Sequence, residues 1–387
     1  MTNAIATLRE EAAERFAQLG WPTPRIEEWR YTNLSPLLKI DWRADDAPTF
    51  VNSPESLAGK AALELVFING RFAQRTGDTR FGEAADVRIG DWERNRMVAL
   101  NYANEQDGAR IDIPANTVVE GFIHLLFLGR GDGVWSHPRN VITVGSNAQV
   151  TIVETYAGSG NYFTNAVTEI DAQDGARVDH YKIQREAREA FHTGNIYIRE
   201  ARAANVTSRS IALGGAIART ETHVTLDGEG ASVTLDGLFV GSGHQHLDAL
   251  TVVDHVKPHC DSTQLYKGVL DQNARGVFDG RIIVRPFAQK TQSRQENRNL
   301  LLSETAIVDS KPNLEIHNDD VKCSHGSTIG QIDQEALFYL RSRGIDGDEA
   351  RQLLVHAFAG EIVDRMKIEP VREQVGRALG LGSGPNG

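Results

Sequence analysis

A three-residue pattern, Ala-x-Val, returns at a nearly fixed interval along the middle of the chain: Ala148-Gln-Val150, Ala176-Arg-Val178, Ala204-Asn-Val206 and Ala231-Ser-Val233, with steps of 28, 28 and 27 residues between the valines. A period between 20 and 50 residues marks a chain that builds one structural unit and stacks it on the last. Around the repeat lie short β-branched runs such as Val141–Ile–Thr–Val144, Val150–Thr–Ile–Val153 and Ile196–Tyr–Ile198, broken by Gly, Asn and Asp, which read as strands and turns with no helices between them. Two architectures fit that pattern. One is a β-solenoid, in which each turn stacks on its predecessor; the other is a meander or sandwich whose hairpins happen to be evenly spaced. Glycine supplies 36 of the 387 residues against 12 prolines, a balance that suits many tight turns rather than a disordered segment.

The β block, taken as residues 111–332, is flanked by different material. In the region 1–110, Ile5, Leu8, Ala12, Phe16 and Leu19 recur at helical spacing and stop at Gly20, predicting one amphipathic helix. Leu63 to Gly70 reads as a strand running into a turn, and Arg71 to Asp107 shows no usable period and is expected to be irregular. In the region 333–387, Asp333 precedes Ala336, Leu337, Phe338 and Leu340, and Asp346-Gly-Asp-Glu349 has capping-box spacing ahead of a second apolar series, so a helical hairpin is expected there. A third helix over Val371 to Leu379 leads into a glycine-rich tail expected to be mobile.

Composition excludes several functions. The net charge of −11 is spread along the chain and opposes a surface that must neutralise phosphates. The opening residues are charged and carry no apolar run of signal-peptide length, and the most apolar stretch, Phe122 to Leu128, is too short to span a membrane; the cytosol is the expected compartment. No G-x-x-x-x-G-K-[ST], G-x-S-x-G or H-E-x-x-H is present, so any use of ATP would come from a partner.

Histidine and cysteine carry what remains. Nine of the twelve histidines lie from His180 to His325, and only Cys260 and Cys323 supply thiols, too few for a four-thiolate zinc or iron–sulfur site within one chain. Two i, i+2 pairs stand out, His244/His246 and Cys323/His325; on a strand each pair would share a face, and imidazole and thiolate suit zinc, iron or a cluster edge. For His244/His246 a solvated face is the simpler reading, and for Cys260, beside His259 and near His255, buried packing is. Cys323 and His325 fit a packing role and a ligand role equally well.

The segment Lys311-Pro-Asn-Leu-Glu-Ile-His-Asn-Asp-Asp-Val-Lys-Cys-Ser-His-Gly326, followed by Leu337-Phe-Tyr-Leu-Arg-Ser-Arg-Gly344, closely resembles the SufD family of iron–sulfur cluster assembly proteins. The resemblance extends to Pro258-His-Cys260, Tyr266-Lys-Gly268, Gly276-Val-Phe278 and Asn299-Leu-Leu-Leu-Ser303, and more faintly to Glu28-Trp-Arg-Tyr-Thr32, about a third of the chain in all. It departs at Asn313, His317, Asn318 and Ser327, where the family usually shows Gln, an aromatic, Ala and Ala. The resemblance implies a mainly β fold, a right-handed parallel β-helix (β-solenoid) core flanked by N-terminal and C-terminal helical regions. It implies a non-catalytic scaffold paired through its core with SufB and carrying SufC, an ABC-type ATPase, on its C-terminal helices. A nascent iron–sulfur cluster would form where SufB and SufD meet, with His325 at the site and Cys323 as its near neighbour; His317 would be a surface residue rather than a further ligand. The resemblance leaves open whether the assembly also takes reduced FAD and whether the lone chain forms a homodimer. Two rival readings rest on residues alone: a β-helix carbohydrate-active enzyme using Asp254, Arg281, Arg285 or Lys290, and a His-x-His metalloenzyme built on His244 and His246.

Overall fold

The computed structural model describes residues 2–45, 53–78, 84 and 86–380, with side chains from residue 7 onward. From Gln149 on, strands alternate between two parallel walls. The first wall stacks Gln149–Ser159, Arg177–Arg185, Asn205–Ala212, Ser232–Gly241, Asp261–Leu270, Thr291–Leu301 and Val321–Gln331. The second stacks Tyr162–Ala172, Phe191–Glu200, Ile217–Leu226, His246–His255, Arg275–Val284 and Ile307–Ile316. Every pairing within these two stacks is parallel. The chain is a parallel β-solenoid, and the meander or sandwich is excluded.

The repeat is explained by register. Val150, Val178, Val206 and Val233 stand side by side in the first wall, all buried and pointing into the lumen. The alanines two positions earlier fill the inner corner, where Ala148, Ala176, Ala204 and Ala231 are fully buried. A left-handed residue precedes each: Asn147, Gly175, Ala203 and Gly230 all have positive φ. This conformation turns the chain sharply enough to enter the next strand at the same height.

The repeat also runs further than the Ala-x-Val pattern. The valine ladder continues through Ser262 and Ser293 to Cys323, and the corner alanine becomes Cys260 and then Thr291, preceded by the positive-φ residues His259 and Lys290. Cys260 is therefore a corner residue, fully buried with its Sγ against the carbonyls of Gly228 and Pro258.

Among the described residues five α-helices flank the solenoid: α1 (Thr2–Leu19), α2 (Arg96–Asn104), α3 (Gln334–Ser342), α4 (Gly347–Val363) and α5 (Glu369–Ala378). The expected helices α1, α3, α4 and α5 all form, with Asp333 capping α3 through the amides of Glu335 and Ala336 and Asp346 capping α4 through that of Asp348. The stretch expected to be irregular instead holds the strand Arg71–Gly77, paired antiparallel to Leu63–Ile68, and helix α2. Met97 to Tyr102 are all buried in α2, so it has no polar face to give it a helical period. Ile362, Val363, Met366, Val371 and Val375 lie against Tyr181, Ile183, Leu238 and Leu265 on the outer face of the first wall. Residues 381–387 of the glycine-rich tail lie outside the described residues.

Candidate functional site

The strand Val321–Gln331 is the edge of the first wall and pairs on one side only, with Thr291–Leu301. Because strand side chains alternate between faces, Cys323 and His325 fall on the lumen side of their wall. Cys323 continues the ladder Val233–Ser262–Ser293, and His325 continues Leu235–Gln264–Gln295. In every earlier turn the next strand seals these columns. At the last turn no strand among the described residues stacks beyond, so His325 is exposed and Cys323 only half-buried, against Ile282, Val284 and Ala288. Burial pushes the Cys323 thiol up, the Ser293 backbone offsetting part of the shift, so metal binding at this sulfur would have to displace a proton.

Behind the pair the lumen turns polar. His255 Nε2 is 2.9 Å from Ser262 Oγ, which is 2.6 Å from Ser293 Oγ. Thr251 donates to Gln264 at 2.8 Å, Ser310 to Asn297 at 2.7 Å, and Ser327 to Ser310 at 2.7 Å. Burial lowers His255 to about 4 and keeps it neutral. Ser310 and Asn297 were not singled out from the sequence, and Ser327 only as a departure from the family pattern; the strand register brings them together near His325. Alongside, a groove of about 510 Å³ opens at the wall edge between His325, Gly326, Arg294 and Arg298. Its floor is an ion triad in which Glu296 accepts from Arg294 and Arg298. The bond from Arg294 is the main reason the Glu296 carboxyl lies below its ordinary range.

The other candidates are dispersed. His244 is exposed in a turn while His246 opens the strand His246–His255, its Nε2 2.8 Å from Thr32 Oγ1. The two do not share a strand face, which removes the geometry a His-x-His metal site needs. His317 follows the strand Ile307–Ile316 and pairs with Glu315 at 2.9 Å, in keeping with a surface role. Asp254 is held by Arg285 through two bonds of 2.9 and 2.8 Å, and Lys290 by Asp320 at 2.8 Å; Arg281 stands between Val252 and Asn313 in the second wall. None of these supplies the paired carboxylates that glycoside hydrolysis uses. Among the described residues no group of three or more His, Cys, Asp or Glu gathers to hold a metal ion.

What the last strand offers is one thiol and one imidazole on an uncovered edge. That is two ligands suited to iron, where a cluster takes four.

Comparison with known proteins shows the family of the chain. Residues 127–358 match the family model described as SUF system FeS cluster assembly, SufBD core domain, and residues 1–52 match the SufBD protein N-terminal region. An iron–sulfur cluster assembly SufBD family protein of Synechocystis sp. is 34% identical, covering 94% of this chain and 88% of that protein. The iron–sulfur cluster assembly protein SufD of Escherichia coli is 31% identical over 96% of this chain and 91% of its own length. SufD of Bacillus subtilis is 28% identical, with 96% and 92% covered. With its solenoid, its flanking helices and these near full-length matches, the chain belongs to the SufD family of iron–sulfur cluster assembly proteins.

Proposed function

We propose that this chain is a non-catalytic scaffold subunit that assembles iron–sulfur clusters in the cytosol together with a SufB-like chain and a SufC-like ATPase. In this reading His325 and Cys323 form one edge of the nascent-cluster site, and the SufB-like partner supplies the remaining ligands. The observation that carries the proposal is the uncovered last strand, where the lumen columns end in a half-buried thiol and an exposed imidazole. A partner strand laid along this edge would satisfy its free backbone groups and bring ligands to the same place. A cluster held between two chains is labile, which suits a product that must leave.

Helix α3 supports the second contact. Leu337 turns toward α4, while Phe338 and Tyr339 are 75% and 56% exposed. Large apolar side chains left in solvent on a short helix are consistent with a protein partner. A motor bound there would act on helices that pack, through α4 and α5, on the solenoid wall itself, a route from ATP turnover to movement at the shared edge. No helix among the described residues is long and apolar enough to cross a membrane.

The test is co-expression with the SufB-like and SufC-like chains. Phe338→Asp should leave the fold intact and strip the ATPase from the purified assembly while the SufB-like chain stays. Retention of the ATPase at the wild-type ratio would move its contact away from α3.

A further inference from the structure

The motif Glu28-Trp-Arg-Tyr-Thr32 belongs to no part of the proposed cluster or ATPase contacts, yet two of its side chains, Trp29 and Thr32, are buried against the solenoid. Trp29 is buried, with the Arg219 guanidinium 4.1 Å from its ring. Arg219, itself buried, donates to Glu221 at 2.8 Å and also to Asp248. Thr32 is fully buried; its hydroxyl donates to Asp248 and lies 2.8 Å from His246 Nε2. The Tyr31 ring is 6.0 Å from the Arg275 guanidinium, which is bonded to Asp309 at 2.7 and 2.9 Å. One residue before the motif, Glu27 pairs with Lys311.

These partners lie on four consecutive strands of the second wall: Arg219 on Ile217–Leu226, Asp248 on His246–His255, Arg275 on Arg275–Val284, and Asp309 and Lys311 on Ile307–Ile316. Four strands at the usual spacing span about 14 Å. The side chains of this short segment therefore reach all four strands, Trp29 the first, Thr32 the second, Tyr31 the third and Glu27 the last. The segment is anchored by Trp29 in an apolar cluster with Leu34, Leu37 and, from α2, Met97 and Leu100, and Glu27 holds the last strand of the wall through Lys311. That strand needs a grip, because no later strand among the described residues covers it.

We infer that residues 27–32 are a strap that holds the terminal turn of the solenoid, 307–331, in register. Ser310 on the strapped strand bonds to Asn297 and Ser327, so the hold passes to the strand that carries His325. Trp29 and Thr32 thereby become positioning residues for the proposed cluster edge; only this last consequence rests on the proposed function.

The experiment is amide hydrogen exchange by mass spectrometry on the full chain, comparing Thr32→Val, Thr32→Ser and Lys311→Gln with the wild type. Loss of the hydroxyl in Thr32→Val should speed exchange in 307–316 and 321–331 at least about threefold, with 149–159 and 177–185 unchanged. Thr32→Ser should restore wild-type exchange. Lys311→Gln, at a half-exposed site that does not threaten folding, should speed exchange in 307–316. Unchanged exchange at the terminal turn, or a uniform rise over the whole solenoid, would overturn the strap. In cells, Thr32→Val should lower cluster maturation and Thr32→Ser should restore it. His325→Ala should lower maturation with wild-type exchange at 307–331. Loss at the strap with normal maturation in His325→Ala would sink the cluster site and leave the strap standing.

Discussion

Glu200 ends a lumen-facing row, fully buried, with neither carboxylate oxygen closing a hydrogen bond. Burial pushes its carboxyl well above the ordinary range, and the nearby amides of Ser232 and Val206 offset only part of this. In the unfolded chain such a group loses its proton near pH 4.3. In the folded chain it keeps the proton, so above that pH the folded state binds more protons and stability falls as pH rises. The expected outcome is that Glu200→Gln raises the thermal midpoint at pH 7.5 and changes it little at pH 4. Denaturation followed by circular dichroism checks this, and an equal gain at both values would contradict it. The other buried charges are better matched: Glu154 meets His180 and Tyr156, and Glu186 meets His192, Gln184 and Thr164. Cys260 and Cys323 illustrate the same dependence on place. Burial raises the first thiol to about 11 at a closed corner, whereas the second stands at the one turn left open.

At the level of the element, the corners decide the stacking. Ala203 carries a φ of 54° where neighbouring corners use Gly175 and Gly230. A β-carbon in the left-handed region costs roughly 1–2 kcal/mol, and glycine returns part of that gain as unfolded-state entropy. Ala203→Gly should therefore stabilise the fold by up to about 1 kcal/mol. Urea unfolding would show it, and a loss of stability would mean that the corner is held by something other than backbone conformation. The corners also explain which parts of the fold were legible in the sequence. Ala-x-Val announced four turns because the same residues filled the same niche in each. The later turns fill that niche with Cys260, Thr291 and Val321, and their ladder steps lengthen to 29, 31 and 30 residues, so residue identity and spacing failed together. Cys323 is the seventh rung of a ladder whose first four rungs were visible. Helix α2 escaped because its middle is buried all round. The pairing of Thr32 with Asp248 joins residues 216 positions apart and leaves no local trace at all.

On the scale of the whole molecule, cover is distributed unevenly. The outer face of the first wall lies under α4 and α5, and that of the second lies under the N-terminal segment with its strap. At the N-terminal end of the first wall, the antiparallel strand Arg71–Gly77 lies beside Leu63–Ile68. At the C-terminal end no strand among the described residues pairs beyond Val321–Gln331, and there the lumen presents Cys323 and His325. The central claim is that this end is half of a shared site. Its most direct test is native mass spectrometry, under anaerobic conditions, of the assembly formed with the SufB-like and SufC-like chains, with iron and sulfide counted in wild type and His325→Ala. The account predicts the same subunit masses in both and a loss of iron and sulfide from the variant; an intact variant assembly carrying the wild-type complement would contradict it.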